Sequence, residues 1–269
     1  MDKNICFILC SCDAYSDLWN PFCAQLLRFW PGFNLPIYLC TESKEFQYEG
    51  LTIKAPLKDA NETLTSWSRR LEVLLENLPY DYFIYMMDDF LMTDTVDVTA
   101  VEAAYNIMID NRKIGLIHLW PMISADSDKR RVDNAVDCKY EGYYLIRKGM
   151  PYRINCQVAI WRKDYMLKIL RSHESAWNFE LFGTIRSRFY ADTVLATKKQ
   201  LFHYPEGGLL WRGKCQKEVL HFYDKDLIAE SIEKRGIIEA GAPSMYKKRP
   251  RDFSFFWGLI KSFTPRFRK

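Results

Sequence analysis

The chain has 269 residues, of which 48% are hydrophobic and 15% aromatic, and this composition supplies a folded core and excludes a disordered chain. The formal charge is +4, yet residues 247–269 hold eight basic residues and one acidic residue, so the rest of the chain is mildly acidic. The eight cysteines lack zinc-site spacing, and we expect reduced thiols in a cytoplasmic protein without a secretory leader or membrane-spanning segment.

Strands and helices alternate through the first 120 residues. Short apolar runs predict strands at residues 5–10, 35–40, 51–54, 82–87 and 114–119. Apolar residues at helical spacing predict helices over 18–29 and 64–78, and a third helix that opens with the capping box Thr99 and Glu102. This alternation predicts a mostly parallel sheet with helices on both faces, which binds ligands at the carboxyl ends of its strands.

The second half of the chain is less regular. Residues 121–139 are polar and predict a surface excursion, whereas 143–146 and 157–161 predict strands and 163–170 a helix. A further helix is predicted over 177–189. Because no repeat or low-complexity linker is present, we expect one domain over residues 1–246, followed by a tail over 247–269.

Two adjacent carboxylates, Asp88 and Asp89, directly follow the apolar run at 82–87. Such a pair is self-repelling unless a cation compensates it. Mg²⁺ and Mn²⁺ prefer oxygen ligands and take one or two carboxylates together with water and phosphate oxygens. The alternative is a solvated strand end in which one Asp caps a turn.

Four stretches of the sequence resemble bacterial GT-A type glycosyltransferases from capsule, lipopolysaccharide and surface polysaccharide gene clusters. They lie at residues 5–13, 15–19, 67–71 and 83–90. The resemblance implies a GT-A (Rossmann-like) fold with a donor half over about 1–120 and an acceptor half over about 121–246. One departure is that Met87-Asp88-Asp89 replaces the Asp-x-Asp motif of such enzymes.

The same resemblance assigns roles in the donor half. It implies that Ser11 and Asp13 lie near the nucleotide base and ribose, that Arg69 contributes to donor binding, and that Asp88 and Asp89 hold Mn²⁺ or Mg²⁺ against the donor diphosphate.

Residues 151–161 and 175–180 resemble the acceptor half of these enzymes. A helix from 177 places Glu180 along an apolar stripe, where we expect it to act as the base that takes the acceptor proton. The alternative is a first-turn Glu that interacts with the helix dipole. Asp192 is a second candidate for the base.

A glycine-rich stretch over 204–214 carries two cations, Arg212 and Lys214, which are suited to a diphosphate. Its Gly207-Gly208 pair is also compatible with a plain hairpin turn. His203 and His221 are candidate ligands of the metal or the diphosphate, with a structural role as the alternative.

The basic tail over 247–269 has aromatic and apolar residues at helical spacing. This amphipathic pattern suits the inner face of an anionic membrane, and the alternative is a helix that packs on the protein body. No nucleic-acid recognition motif accompanies it. The residues concerned are Phe253, Phe256, Trp257, Ile260 and Phe263.

The functional prediction is therefore a metal-assisted glycosyltransferase, inverting, that moves a sugar from a nucleotide-diphosphate sugar, expected to be UDP-linked. The acceptor is predicted to be a surface glycan or a lipid-linked oligosaccharide. Two alternatives are a metal-dependent phosphohydrolase or nucleotidyltransferase, which would use the same acidic pair, and a non-catalytic glycan-binding protein, which would use the many aromatic residues.

Overall fold

The fold was obtained as a computed structural model, which describes residues 4–60, 64, 66–239, 258 and 260–263. A nine-stranded sheet forms its centre, in the order β3-β2-β1-β4-β8-β5-β9-β7-β6. All strands except β7 and β8 run in the same direction. The strands are β1 (Ile5–Cys10), β2 (Ile37–Cys40), β3 (Ile53–Lys54), β4 (Tyr82–Met87), β5 (Ile114–His118), β6 (Ala135–Asp137), β7 (Tyr143–Ile146), β8 (Ala159–Arg162) and β9 (Thr193–Thr197).

Helices cover the sheet, and a small second sheet lies beside it. The helices are α1 (Trp19–Phe29), α2 (Trp67–Glu76), α3 (Val98–Asp110), α4 (Lys129–Asn134), α5 (Lys163–Ile169), α6 (Ala176–Asn178), α7 (Thr184–Ser187) and α8 (Lys225–Arg235). A π-helical turn, Phe179–Gly183, joins α6 to α7, and 3-10 turns lie at Asp13–Leu18, Pro56–Asp59 and Lys217–Phe222. The small sheet contains β10 (Leu210–Trp211), β11 (Lys214–Gln216) and β12 (Ile237–Ile238).

Apolar side chains fill both faces of the large sheet. Successive residues of a strand point to opposite faces, so Phe7 packs with Phe22 of α1, while Ile8 belongs to the cluster that contains Leu71 of α2. The strand β1 is buried along its whole length. The predicted α/β class, a mostly parallel sheet with helices on both faces, is confirmed.

Several local predictions differ from the structure. Asp97, not Thr99, caps α3, because its Oδ1 accepts a hydrogen bond from the Ala100 amide at 3.0 Å. The helix predicted over 177–189 is divided by the π turn, which changes the face that each residue occupies: Trp177 is 64% exposed, whereas Phe179 is buried. The excursion over 121–139 contains α4, which has no buried residue, and the short strand β6.

The strand order reverses beside β1. The strands β2 and β3 lie on one side of β1, and β4 lies on the other. Where strand order reverses in this way, the loops that leave the two carboxyl ends diverge and open a binding crevice. In this chain those loops begin at Ser11 and Asp88.

No helix within the described ranges is both long enough and apolar enough to cross a bilayer. Most of the predicted tail, including Phe253, Phe256 and Trp257, lies outside the described residues. Its described residues pack on the body: the Phe263 ring lies 5.8 Å from that of Phe189, in an edge contact.

Candidate active site

Ser11 and Asp88 meet at the crevice between β1 and β4. The Ser11 hydroxyl donates to Oδ2 of Asp88, and it accepts a hydrogen bond from Nε1 of Trp19 at 2.6 Å. The Asp88 amide donates to the Cys10 carbonyl at 3.2 Å, which continues the β1–β4 pairing by one residue. With only 2% of its surface exposed, Asp88 is therefore fixed in position by both its backbone and its side chain.

The two adjacent carboxylates, Asp88 and Asp89, both have a raised pKa. Burial raises the pKa of Asp88 well above its usual value, and the charge of Asp89 raises it further. Burial also raises the pKa of Asp89, to about 7, although the positive charge of Arg235 opposes the shift at both residues. A divalent cation would restore the ionised form of both groups.

The glycine-rich segment closes over this acidic pair. The Leu209 amide donates to the Asp89 carbonyl at 2.8 Å. A Cβ on Gly208 would lie 2.8 Å from Oδ2 of Asp89 and 2.9 Å from the Asp89 carbonyl oxygen, and the backbone there has a φ of +75°. Only glycine therefore permits both the conformation and the close approach. Gln216 holds the segment in place by donating to the Gly208 carbonyl at 2.9 Å.

The chemistry of the acidic pair fits Mg²⁺ or Mn²⁺, which bind through one or two carboxylates and complete their shell with phosphate and water. The predicted histidines are not brought to the pair. His203 forms an isolated β-bridge with Asp94, and His221 is exposed against the ring of Phe222. Among the described residues, no three His, Cys, Asp or Glu side chains form a metal-binding group by themselves.

Asp13 joins the loops that follow β1 and β2. Its carboxylate accepts hydrogen bonds from the Thr41 hydroxyl at 2.8 Å and from the amides of Ser43 and Lys44 at 3.1 and 3.0 Å. Burial would raise the pKa of Asp13, but these bonds outweigh it and lower the pKa to about 2. Asp13 therefore shapes the rim of the crevice.

The arginine that reaches this rim is Arg70, whereas Arg69 forms an ion pair with Glu72 along α2 at 2.8 Å. Arg70 is 7% exposed and pairs with Glu42 at 2.6 Å, and Glu42 accepts a hydrogen bond from the Asp13 amide. The sequence itself indicates that Arg70, and not Arg69, faces the protein interior. Arg70 lies three residues after Trp67 and four before the buried Leu74, so it shares the inward face of α2.

Arg235, at the end of α8, is a cation whose charge lowers the pKa of both Asp88 and Asp89. It donates to Asp17 at 2.6 and 2.7 Å, lies 4.2 Å from the centre of the Tyr15 ring, and acts on both Asp88 and Asp89. The predicted cations lie elsewhere. Arg212 and Lys214 are exposed around the β10–β11 turn. The sequence marks Arg235 only as a basic residue before a helix-ending glycine.

Glu180 lies on the π turn, at the same edge of the sheet as Asp88. Its Oε1 accepts a hydrogen bond from the Cys156 amide at 2.8 Å, three residues before β8 begins opposite Tyr85 of β4. Burial raises the pKa of Glu180 to about 7, although the bond from Cys156 opposes the shift. Single π turns within helices are frequent at functional sites.

Asp192, the second candidate base, lies at the opposite edge of the sheet. It precedes β9 and pairs with Arg162, which stands at the end of β8 opposite Tyr82, the first residue of β4. Lys168 lies 3.7 Å from its other oxygen. The structure therefore does not bring Asp192 together with the acidic pair, and its ion pairs account for its burial.

No protein-family model matches the sequence, and no curated protein sequence matches it. Similar solved structures exist. A TarS fragment (1–349) from S. aureus is 9% identical with a TM-score of 0.48, and the match covers 75% of this chain but only 60% of that one. Glucosyl-3-phosphoglycerate synthase from Mycobacterium tuberculosis is 11% identical over 88% of this chain and 82% of its own, with a TM-score of 0.43.

A third similar structure is a CMP:2-keto-3-deoxy-manno-octonic acid synthetase complexed with CTP, 14% identical, with 72% of this chain and 88% of that chain covered and a TM-score of 0.44. A glucosyl-3-phosphoglycerate synthase and a CMP:2-keto-3-deoxy-manno-octonic acid synthetase are thus both among the similar structures. Similarities this remote do not assign an activity, so the functional assignment depends on the residues of the crevice.

Proposed function

We propose that this chain is a glycosyltransferase that moves a sugar from a nucleotide-diphosphate sugar, UDP-linked, to a hydroxyl group of a glycan acceptor. One observation carries the proposal: an acidic pair, held by Ser11 and covered by Gly208, lies at the point where strand order reverses. Such a crevice is where α/β sheets bind nucleotides.

Asp88 and Asp89 would hold Mn²⁺ or Mg²⁺, which supplies positive charge to the diphosphate as the sugar leaves it. Arg235 supports this role, because its charge already acts on both carboxylates and would also act on a diphosphate held near them by the cation. Asp13, Glu42 and Arg70 form the rim of the crevice, where the base and ribose would lie.

Glu180 is proposed as the base of an inverting transfer. The acceptor hydroxyl must lose its proton as its oxygen attacks the anomeric carbon, and the Glu180 carboxylate would take that proton. A pKa of about 7 suits this role, because a base works best when its pKa is close to the pH of the reaction.

We propose a surface glycan or a lipid-linked oligosaccharide as the acceptor, in an enzyme of surface polysaccharide synthesis that works in the cytoplasm at the inner face of the membrane. Two aromatic side chains near the Glu180 turn support this, since Trp177 is 64% and Phe189 73% exposed. Exposed aromatic groups in a chain that also carries a strongly basic stretch, here residues 247–269, are typical of proteins that bind anionic lipid.

The test is to identify the products. The purified chain is incubated with UDP-sugars, Mn²⁺ and an oligosaccharide or lipid-linked acceptor, and the nucleotide released is analysed. A transferase releases UDP together with an extended acceptor. Release of UMP, phosphate or pyrophosphate would instead support the phosphohydrolase or nucleotidyltransferase alternative and contradict the proposal.

A further inference from the structure

A buried ion pair brackets the turn that carries Glu180. Glu174 precedes α6 and is 0% exposed, and Arg186 of α7 is 2% exposed. Their contact is bidentate: the two guanidinium nitrogens lie 2.7 and 2.6 Å from the two carboxylate oxygens. This one ion pair therefore joins the two ends of the stretch 174–186, which contains the π turn.

A C-terminal segment, described at residues 258 and 260–263, contacts this ion pair through Ser262. The Ser262 side chain is fully buried, its hydroxyl lies 2.8 Å from Oε1 of Glu174, and it accepts a hydrogen bond from Nη1 of Arg186. Buried ion pairs stabilise a fold only when their remaining hydrogen-bonding groups are satisfied. Ser262 satisfies one oxygen and one nitrogen of this pair and excludes water from both.

Two more contacts place the same segment along the turn. A Cβ added to Gly258 would lie 3.3 Å from the Phe182 ring, and Phe263 meets Phe189 edge-on. Phe182 lies within the π turn, two residues after Glu180. The segment thus contacts the turn at Phe182 and the chain just beyond α7 at Phe189, while Glu180 itself accepts a hydrogen bond from the Cys156 amide.

We infer that Ser262 is a positioning residue, through which the C-terminal segment holds the π turn in the conformation that presents Glu180 to the acceptor. The inference depends on the proposed function for the role of Glu180, but the mechanical coupling does not. Losing the contact should leave the donor crevice intact, because Asp88 is held by Ser11 and Cys10 and Asp89 is bonded to Leu209, none of which belongs to the turn or to the C-terminal segment.

The experiment compares Ser262→Asp with Ile260→Asp in the full chain. Ser262→Asp places a second buried carboxylate beside Glu174 with only the Arg186 guanidinium to share, so we expect it to displace the segment. Ile260 is 58% exposed, and the same charge there is solvated. Ser262→Ala is a milder variant that removes only the hydroxyl. Hydrogen exchange of peptides from residues 176–187 is measured together with kcat and the KM for the donor.

We expect faster exchange in 176–187 for Ser262→Asp, with a fall in kcat of about tenfold or more, since small misplacement of a catalytic group is costly. The KM for the donor and all values for Ile260→Asp should stay as in the wild-type chain. Equal exchange in Ser262→Asp and wild type would overturn the inference, as would faster exchange with unchanged kcat. The exchange result does not require turnover, whereas an inactive wild-type chain would contradict the proposed function itself.

Discussion

At the scale of single residues, the surroundings of Glu180 set the pH range in which a base at this position can work. A carboxylate accepts a proton only when ionised, and burial raises the pKa of Glu180 to about 7. We therefore expect kcat to fall by about tenfold per pH unit below pH 7 and to level off above it, in a pH profile of sugar transfer.

Glu180→Gln should lower kcat by about 10²–10⁴-fold, since it removes the proton acceptor but keeps the shape of the side chain. Manganese-dependent nucleotide binding should persist. Glu141→Gln is the control, because Glu141 is an exposed carboxylate between β6 and β7. A Glu180→Gln variant with wild-type turnover would exclude Glu180 as the base.

The sequence predicts those residues of the site that directly follow a strand. Ser11, Asp88 and Asp89 follow apolar strands, and the structure brings them together at one crevice. The cations could not be chosen in this way. Helical periodicity separates the inward Arg70 from Arg69. Arg235 acts on the acidic pair only through its charge, from α8, more than a hundred residues further along the chain, and no sequence period indicates it.

At the scale of secondary-structure elements, the close approach of the glycine-rich segment to Asp89 leaves no room for a side chain at position 208. Gly208→Ala and Gly213→Ala both place a Cβ on a left-handed backbone, with φ of +75° and +79°. Each should lower the free energy of unfolding by about 1–2 kcal/mol. Only the Cβ at position 208 meets Asp89, whereas nothing lies within 4 Å at position 213.

We therefore expect Gly208→Ala to weaken manganese-dependent nucleotide binding and Gly213→Ala to leave it unchanged, measured by titration calorimetry on both variants. Equal affinities for the two variants would show that the segment does not control the acidic pair.

The regular elements of the first half were predictable because their apolar runs are uninterrupted, and β1, β2 and β4 are found where the sequence places them. The π turn was not predictable, since a single wide turn leaves the spacing of apolar residues in the sequence nearly unchanged. It nevertheless moves Glu180 off the apolar stripe that a regular helix from residue 177 would form. The cap of α3 is Asp97 and not the predicted Thr99, since two side chains capable of capping lie two residues apart in this sequence.

At the scale of the whole molecule, the exposed aromatic residues around the Glu180 turn, Trp177 and Phe189, should bind anionic lipid. We expect the full chain to bind vesicles of phosphatidylcholine mixed with phosphatidylglycerol, and to bind less as salt rises. Trp177→Ser should weaken this binding by about tenfold, in a flotation assay.

Phe222→Ser provides the matched control, since Phe222 is 51% exposed and lies on the 3-10 turn Lys217–Phe222. An equal loss in both variants, or equal binding to vesicles of phosphatidylcholine alone, would contradict a specific lipid-facing surface.

The most direct test of the donor site is the thermal stability of the chain with UDP and UDP-sugars, with and without manganese. A ligand that binds only the folded state raises the melting temperature, and a tighter ligand at the same concentration raises it further. The proposal predicts a manganese-dependent rise that is lost in Asp88→Asn and Asp89→Asn and kept in Asp94→Asn, which alters an exposed carboxylate on the same loop. A folded wild-type chain that shows no manganese-dependent rise with any nucleotide, or the same rise in all three variants, would contradict it.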